Sequence, residues 1–175
     1  MNRTISLAYH TITWRGDIIT ALQDISHAGF QGFETFSFPP KPDDTWYGYV
    51  DRLVRAYSEQ PETYLETENY RTPMDLAGLA AKQNLRLSSM YCSGRFIDPN
   101  LAEHEIRACL SAARFVKDAG CGHLILGGGL NTDGIYTKID YDRFFHSLHE
   151  IGRQCREIGI MACYHPHSGT MVETG

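Results

Sequence analysis

The sequence predicts an α/β protein, a parallel (β/α) barrel, from three observations. Helical stretches alternate with short apolar runs over the 175 residues, and strands separated by helices need right-handed crossovers that make the sheet parallel. Gly or Asn ends each helical stretch, as a left-handed C-terminal cap requires, at Gly29, Asn84, Gly120 and Gly159. Residues 9–16 lack the glycine fingerprint of a nucleotide-binding sheet, which favours a barrel over a doubly wound sheet.

The first elements are predicted from the start of the chain to residue 36. Residues 4–8 form the first strand. Asp17 can cap the first helix, because apolar side chains recur after it at helical spacing, at Ile18, Leu22, Ile25 and Ala28. The second strand follows at Gly32–Phe36.

Residues 37–70 interrupt this alternation as an irregular insertion that is too long for a plain connection. A short helix is predicted within it at residues 51–57. Two interpretations have equal weight. The insertion is either a lid over the mouth of the barrel or a solvated excursion of the chain.

The second half of the chain repeats the strand and helix unit. Thr72 caps a helix with Pro73 at its first position, and the third strand covers residues 86–91. Asn100 opens the clearest amphipathic helix, whose apolar stripe comprises Ile106, Cys109, Leu110, Ala113 and Val116. The fourth strand is predicted at 123–126 and the fifth at 160–164. The helix between them has its apolar stripe at Phe144, Leu148, Ile151, Cys155 and Ile158.

Composition predicts one domain, residues 1–175, in a cytoplasmic protein. The 16 Lys and Arg residues against 21 Asp and Glu give a net charge of -5, which argues against binding to nucleic acid or to an anionic membrane. We find no apolar run near the roughly 20 residues that span a bilayer. The five cysteines are odd in number and include no Cys-x-x-Cys, so we interpret them as reduced thiols.

The candidate site residues follow the C-terminal ends of the predicted strands, where barrel enzymes carry their active sites. His165 and His167 are two residues apart after the fifth strand, so both imidazoles point to the same side if the strand continues. A turn with two solvated rings is the open alternative. The other candidates are His10, Trp14, Glu34, Tyr91 and the glycines at 127–129.

Several of these residues have a second interpretation that the sequence leaves open. The three glycines either let backbone N–H groups approach a ligand oxygen or form a close-packed turn. Trp14, Tyr91 and Phe96 either form an apolar wall for a sugar ring or cap the barrel core.

Four segments together resemble the sugar phosphate isomerase/epimerase family, which has a xylose-isomerase-like barrel of TIM type. The segments are residues 9–14, 29–34, 87–94 and 165–173. The ending His165-Pro166-His167-Ser168-Gly169-Thr170 is similar to the inosose-dehydratase-like branch, in which a histidine-rich turn with Gly-Thr follows the fifth strand. The resemblance covers nearly the whole chain.

The resemblance implies a metal-dependent isomerase, epimerase or dehydratase of a sugar, keto-sugar or inositol derivative. The implied cofactor is a divalent ion, Mn, Mg or Zn, bound near the end of the fifth strand. His165 occupies the position where the family commonly has a metal-binding Glu, and His167 would be a second ligand, a substrate contact or a catalytic group. Glu34 and His10 match substrate-facing positions, and Glu34 is the second catalytic candidate.

The chain supplies only about five of the roughly eight strands of a complete barrel. We therefore expect it to be the N-terminal portion of a longer enzyme, and its open sheet edges favour association, for example as a homo-oligomer. Two alternatives remain. One is a metal-dependent hydrolase or phosphodiesterase on the same barrel, and the other is a non-catalytic part-barrel that binds a partner.

Overall fold

The computed structural model describes residues 6–38, 41, 43–59, 70–130 and 134–173, and its framework is one five-stranded sheet. The strands are β1 (Ala8–His10), β2 (Gly32–Phe36), β3 (Arg86–Gly94), β4 (His123–Gly128) and β5 (Met161–Tyr164). All neighbouring strands are parallel, and their order in the sheet is their order in the chain. A doubly wound sheet reverses its order at a switch point, so this sequential order confirms a partial barrel.

Helices connect the strands, as the alternating pattern predicts. They are α1 (Ile18–His27), α2 (Trp46–Glu59), α3 (Pro73–Lys82), α4 (Ala102–Asp118) and α5 (Lys138–Glu157), and a 3-10 turn lies at Thr11–Trp14. Both predicted N-caps are confirmed, because the Asp17 carboxylate accepts from the Thr20 N–H at 3.1 Å and the Thr72 hydroxyl accepts from the Asp75 N–H at 3.1 Å. No helix in the described part of the chain is long and apolar enough to cross a membrane.

Several predicted boundaries are wrong by a few residues, among them the ends of the third and fourth strands, which extend to Gly94 and Gly128. The first strand lies at Ala8–His10 rather than at 4–8, so it includes His10, while residues 1–5 fall outside the described residues. The helix predicted to open at Asn100 begins at Ala102 instead. The Asp98 side chain accepts from the Asn100 N–H at 2.8 Å, and this local turn delays the first helical residue.

The segment at 37–70 contains a 14-residue helix, α2, which is longer than the predicted helix at 51–57. Its Tyr49 and Leu53 side chains are buried, and the helix packs against β3 and α4. The Tyr49 hydroxyl donates to the Phe38 carbonyl at 2.9 Å, which ties the helix to the chain that leaves β2. Residues 39, 40, 42 and 60–69 lie outside the described residues, so the lid and the solvated insertion both stay predictions.

The two faces of the sheet differ in chemistry. One face lies under the helices and carries Met90, Cys92, Leu124 and Leu126, all buried. The contact between Cys92 and α4 identifies this face as the one that the helices cover, because the Cys92 sulfur lies 3.3 Å from the Cys109 sulfur on α4. The opposite face is the concave side of the partial barrel. Alternation along the strands places Glu34 there, at the C-terminal half of β2.

Candidate active site

His10 and Glu34 form the first contact of the site, because they are direct neighbours in the β1–β2 register. The His10 Nε2 atom lies 3.2 Å from the Glu34 Oε1 atom. The His10 Nδ1 atom accepts from the Ile12 N–H at 2.9 Å. A neutral imidazole has one acceptor and one donor nitrogen, so the Nε2 of neutral His10 carries the proton and donates to Glu34.

A bulge in β3 brings Ser89 to the same carboxylate. Phe33 pairs with Leu87, but the next residue, Glu34, pairs with Ser89, so Ser88 is an extra residue in β3. The Ser88 hydroxyl donates to the Phe33 carbonyl at 2.8 Å. Because of this shift, Ser89 faces Glu34, and its hydroxyl donates to Glu34 Oε2 in a short hydrogen bond.

The two histidines after β5 lie together against the ring of Tyr91. Their ring centroids are 4.6 Å apart, and those of His165 and His167 lie 6.4 and 6.0 Å from the Tyr91 centroid. The His165 N–H donates to the Leu126 carbonyl at 2.8 Å, which continues the pairing of β5 with β4. The predicted convergence of the pair on one side of the strand is confirmed.

The His-Pro-His segment is held by the residues that follow it. The Thr170 hydroxyl donates to the His167 carbonyl at 2.7 Å. The Gly169 N–H donates to the Glu173 carboxylate at 2.8 Å. These bonds close the turn, so His167 is half-buried while His165 remains exposed.

We call this set of side chains the rim cluster. It combines side chains from the ends of β1 and β5 with side chains from within β2 and β3. Its members are His10, Glu34, Ser89, Tyr91, His165 and His167. Tyr91 is its centre, since the His10 ring centroid lies 6.2 Å from that of Tyr91.

Burial controls the ionisation of the rim cluster. Desolvation, followed by repulsion from His165 and His167, lowers the pKa of His10 to about 4. Desolvation, followed by His165, also lowers the pKa of His167. Desolvation raises the pKa of Glu34, although the Ser89 hydrogen bond and His165 act in the opposite direction. At neutral pH the His10 and His167 rings are therefore uncharged.

Comparison with known proteins identifies the family of the chain. The sequence profile of the family described as xylose isomerase-like TIM barrel matches residues 22–175. The chain belongs to this family. A curated relative, the inosose dehydratase of Geobacillus kaustophilus (strain HTA426), is 30% identical over 138 residues, which are 69% of this chain and 45% of the relative.

Solved structures of a sugar phosphate isomerase/epimerase and of a sugar epimerase share the fold. A sugar phosphate isomerase/epimerase from Parabacteroides distasonis ATCC 8503 aligns with a TM-score of 0.63 at 15% identity, over 96% of this chain and 54% of its own. A D-allulose 3-epimerase from Methylomonas sp., solved in complex with D-allulose, aligns with a TM-score of 0.64 at 13% identity, over 91% of this chain and 50% of its own. The chain thus spans about half the length of these relatives.

The metal site expected from the xylose isomerase-like family has only part of its ligands here. In the ranges that the structure describes, no three His, Cys, Asp or Glu side chains are placed to hold a metal ion. His165 and His167 offer two imidazole donors, which suit zinc, manganese or iron. Both Glu34 oxygens already accept hydrogen bonds, from His10 and Ser89. The chemistry of the histidine pair suits a divalent ion, for which the two imidazoles would be two ligands.

The structure places Trp14 outside the rim cluster, and its role as a substrate contact stays a prediction. Its indole N–H donates to the Asp24 carboxylate on α1 at 2.8 Å, and its ring packs edge-on against Tyr9. Tyr9 alternates with His10 along β1, so this packing lies on the other face of the sheet. Phe96 is fully buried and belongs to the core.

The glycines at 127–129 form the close-packed turn rather than an open ligand cradle. A Cβ atom on Gly127 would lie 1.7 Å from the Tyr91 hydroxyl oxygen, and one on Gly128 would lie 2.0 Å from the Gly94 carbonyl oxygen. A Cβ on Gly129 would meet the Phe144 ring at 2.8 Å. Neighbouring protein atoms therefore occupy the space at all three positions.

Sequence reasoning missed Ser89. The available signal was the pair Ser88-Ser89 in the middle of an otherwise mostly apolar strand. Two consecutive polar residues break the alternation of a strand, and a bulge is one structure that explains such a break.

Proposed function

We propose that the rim cluster is the proton-transfer part of the active site of an isomerase, epimerase or dehydratase. The substrate is a sugar, keto-sugar or inositol derivative, and the proton moves on the carbon next to its carbonyl. One observation carries the proposal. The Glu34 carboxylate is held at both oxygens and partly buried on the concave face, beside His10 at the C-terminal end of β1.

Glu34 is the proposed base. A carboxylate abstracts a proton from carbon more effectively when its pKa lies closer to the working pH, and burial raises the pKa of Glu34. His10 keeps the base in place as a neutral donor, because the Ile12 N–H occupies its other nitrogen. The abstracted proton stays on Glu34, which can return it from the same face to the neighbouring atom of the substrate, as isomerisation requires. Epimerisation would need a proton donor on the opposite face, and dehydration would need the neighbouring hydroxyl to leave as water with a proton.

His165 and His167 are the proposed ligands of a divalent metal ion. If His167 is not a ligand, its proposed role is that of a substrate contact or proton carrier. The neutral form of an imidazole is the one that binds a metal, and burial keeps His167 neutral. When bound, such an ion polarises the substrate carbonyl and makes the neighbouring C–H group more acidic.

Tyr91 is the proposed contact for the apolar face of the substrate ring. Its ring lies between the His10 side of the rim cluster and the histidine pair, 6.0 to 6.4 Å from all three imidazoles. The ring is only 4% exposed, so a substrate in the rim cluster would meet it as the floor of the site. The base would then lie on one side of the substrate and the imidazole pair on the other.

The substrate class follows from the relatives. Because the curated relative is an inosose dehydratase, a keto-inositol is the first substrate to test. D-allulose, the ligand of one related structure, is the second. Both carry a ketone beside C–H groups that bear hydroxyls, which is the chemistry that the proposed base requires.

The test is solvent hydrogen exchange in the intact gene product. Proton NMR in D2O follows loss of the C–H signal next to the ketone for a keto-inositol and for D-allulose, with a divalent ion present. We expect exchange with the natural protein and a loss of at least about 100-fold in Glu34→Gln, since a general base contributes typically 10² or more.

A matched control is Glu103→Gln, which makes the same chemical change at an exposed position in the first turn of α4. This variant should exchange the substrate proton at the natural rate. Exchange by Glu34→Gln that equals exchange by the control would refute Glu34 as the base.

A further inference from the structure

We propose that Ser89 is a positioning residue, which holds the Glu34 carboxylate in the orientation needed to abstract the substrate proton. The inference rests on the proposed function, since it gives Ser89 a role through Glu34. It adds a residue that acts without touching the substrate.

The bulge at Ser88 is the reason that Ser89 can do this. In a regular ladder the partner of Glu34 would be Ser88, and Ser89 would point to the helix-covered face. The extra residue reverses this arrangement from Ser89 onward, so that Tyr91 also shares the face of Glu34. One bulge thus brings both the hydroxyl and the aromatic ring into the rim cluster. Bulges commonly re-aim side chains beside active sites.

Two hydrogen bonds are needed to fix the plane of a carboxylate. The bond from His10 to Oε1 alone leaves the group free to pivot about that contact, and the Glu34 side chain is 22% exposed, so water can compete for its other oxygen. Ser89 removes this freedom with a second bond, to Oε2. Its own side chain is buried, with 8% exposure, so its hydroxyl has little access to water.

The position of the Ser89 hydroxyl is itself fixed by its neighbours. Its neighbour Ser88 donates to the Phe33 carbonyl, and the two serine oxygens are 3.5 Å apart. Ser88 therefore anchors the bulge to the backbone of β2, while Ser89 serves the carboxylate. A fixed second bond matters because small misplacements of a catalytic group lower rates strongly.

The experiment compares Ser89→Ala with Ser89→Thr in the exchange assay with a keto-inositol. The Ala variant should lower kcat about tenfold or more, as expected for a lost hydrogen bond to a charged group, with KM within about twofold. The Thr variant keeps the hydroxyl and fits a strand, so it should recover most of that loss. Ser147→Ala is the control, because it removes another buried serine hydroxyl, which donates to the Phe96 carbonyl, outside the rim cluster.

A double-mutant cycle separates positioning from a general structural effect. In Glu34→Asp the carboxylate is retracted by one methylene and loses its reach to Ser89, so adding Ser89→Ala should lower kcat no further. An additive loss in this background, or a Ser89→Ala kcat equal to that of Ser147→Ala, would overturn the inference.

The experiments give different results depending on which of the two proposals is wrong. If Glu34→Gln abolishes exchange while Ser89→Ala retains the natural kcat, the positioning role is refuted and the proposed function stands. If Glu34→Gln exchanges at the natural rate, both are refuted.

Discussion

The substitution Gly127→Ala tests whether the Tyr91 ring is fixed where the rim cluster needs it. The added methyl carbon would lie 1.7 Å from the Tyr91 hydroxyl oxygen and 2.4 Å from its Cζ atom. A normal contact between heavy atoms is about 3.5 Å, so the end of the Tyr91 ring must move by about 2 Å. The ring is 4% exposed and packs edge-on against Phe36, with centroids 5.6 Å apart, so it has little room.

The expected cost of Gly127→Ala follows from this overlap. Overpacking a well-packed site costs about 1 to 3 kcal/mol, and the rigid ring places this variant near the upper end. For a chain of this size, each kcal/mol lowers Tm by about 2 to 4 °C, so we expect a loss of about 6 to 12 °C. Because the imidazoles pack against this ring, its displacement should also raise KM for the keto-inositol.

Thermal unfolding followed by circular dichroism measures the first effect, and the exchange assay measures the second. The matched control is Gly122→Ala, since a Cβ atom at Gly122 meets no atom within 4 Å and its φ is not positive. A second variant, Gly127→Ala with Tyr91→Phe, removes the closest contact and should recover part of the stability. A Tm of Gly127→Ala equal to that of Gly122→Ala would refute the packing argument.

Two other predictions concern the histidine pair and Trp14. His165→Ala should abolish binding of zinc or manganese, measured by equilibrium dialysis, because it removes one of two adjacent imidazole donors. The control variant His149→Ala, on α5, should bind the metal as the natural protein does. Retained binding in His165→Ala would exclude this histidine as a ligand. Trp14→Phe should lower the free energy of unfolding by about 0.5 to 1.5 kcal/mol, through loss of the hydrogen bond to Asp24, and should leave the exchange rate unchanged. A lower exchange rate at equal stability would show that Trp14 acts in the active site.

Much of the fold could be predicted because its signals are local. The four helix-ending residues adopt the positive φ that their identity predicts, 85° at Gly29, 57° at Asn84, 79° at Gly120 and 81° at Gly159. The caps at Asp17 and Thr72 are likewise formed within three residues of chain. Given helices that alternate with strands, the crossover rule then leaves few sheet orders.

The site was only partly predictable, because some of its contacts join residues that are close in sequence and others join residues that are far apart. The spacing of His165 and His167 is local, so their convergence could be predicted from strand geometry alone. The hydrogen bond between Ser89 and Glu34 joins residues 55 positions apart and depends on a one-residue register shift. Periodicity within a single strand does not determine the register between strands.

The position of the Trp14 side chain could not be predicted for a similar reason. Its position after the first strand suggested the mouth of the barrel, but the 3-10 turn at Thr11–Trp14 carries the side chain to Asp24 on α1. Such a turn changes which face a side chain reaches. The sequence pattern contained no signal for that rotation.

The most direct test of the account is a crystal structure of the intact gene product with a keto-inositol and a divalent ion bound. We predict that a Glu34 carboxylate oxygen lies within about 3.5 Å of the carbon next to the substrate carbonyl, with the ring of the ligand over Tyr91. A ligand bound away from the rim cluster, or one that leaves Glu34 bonded only to His10 and Ser89 and out of reach of that carbon, would contradict the central claim.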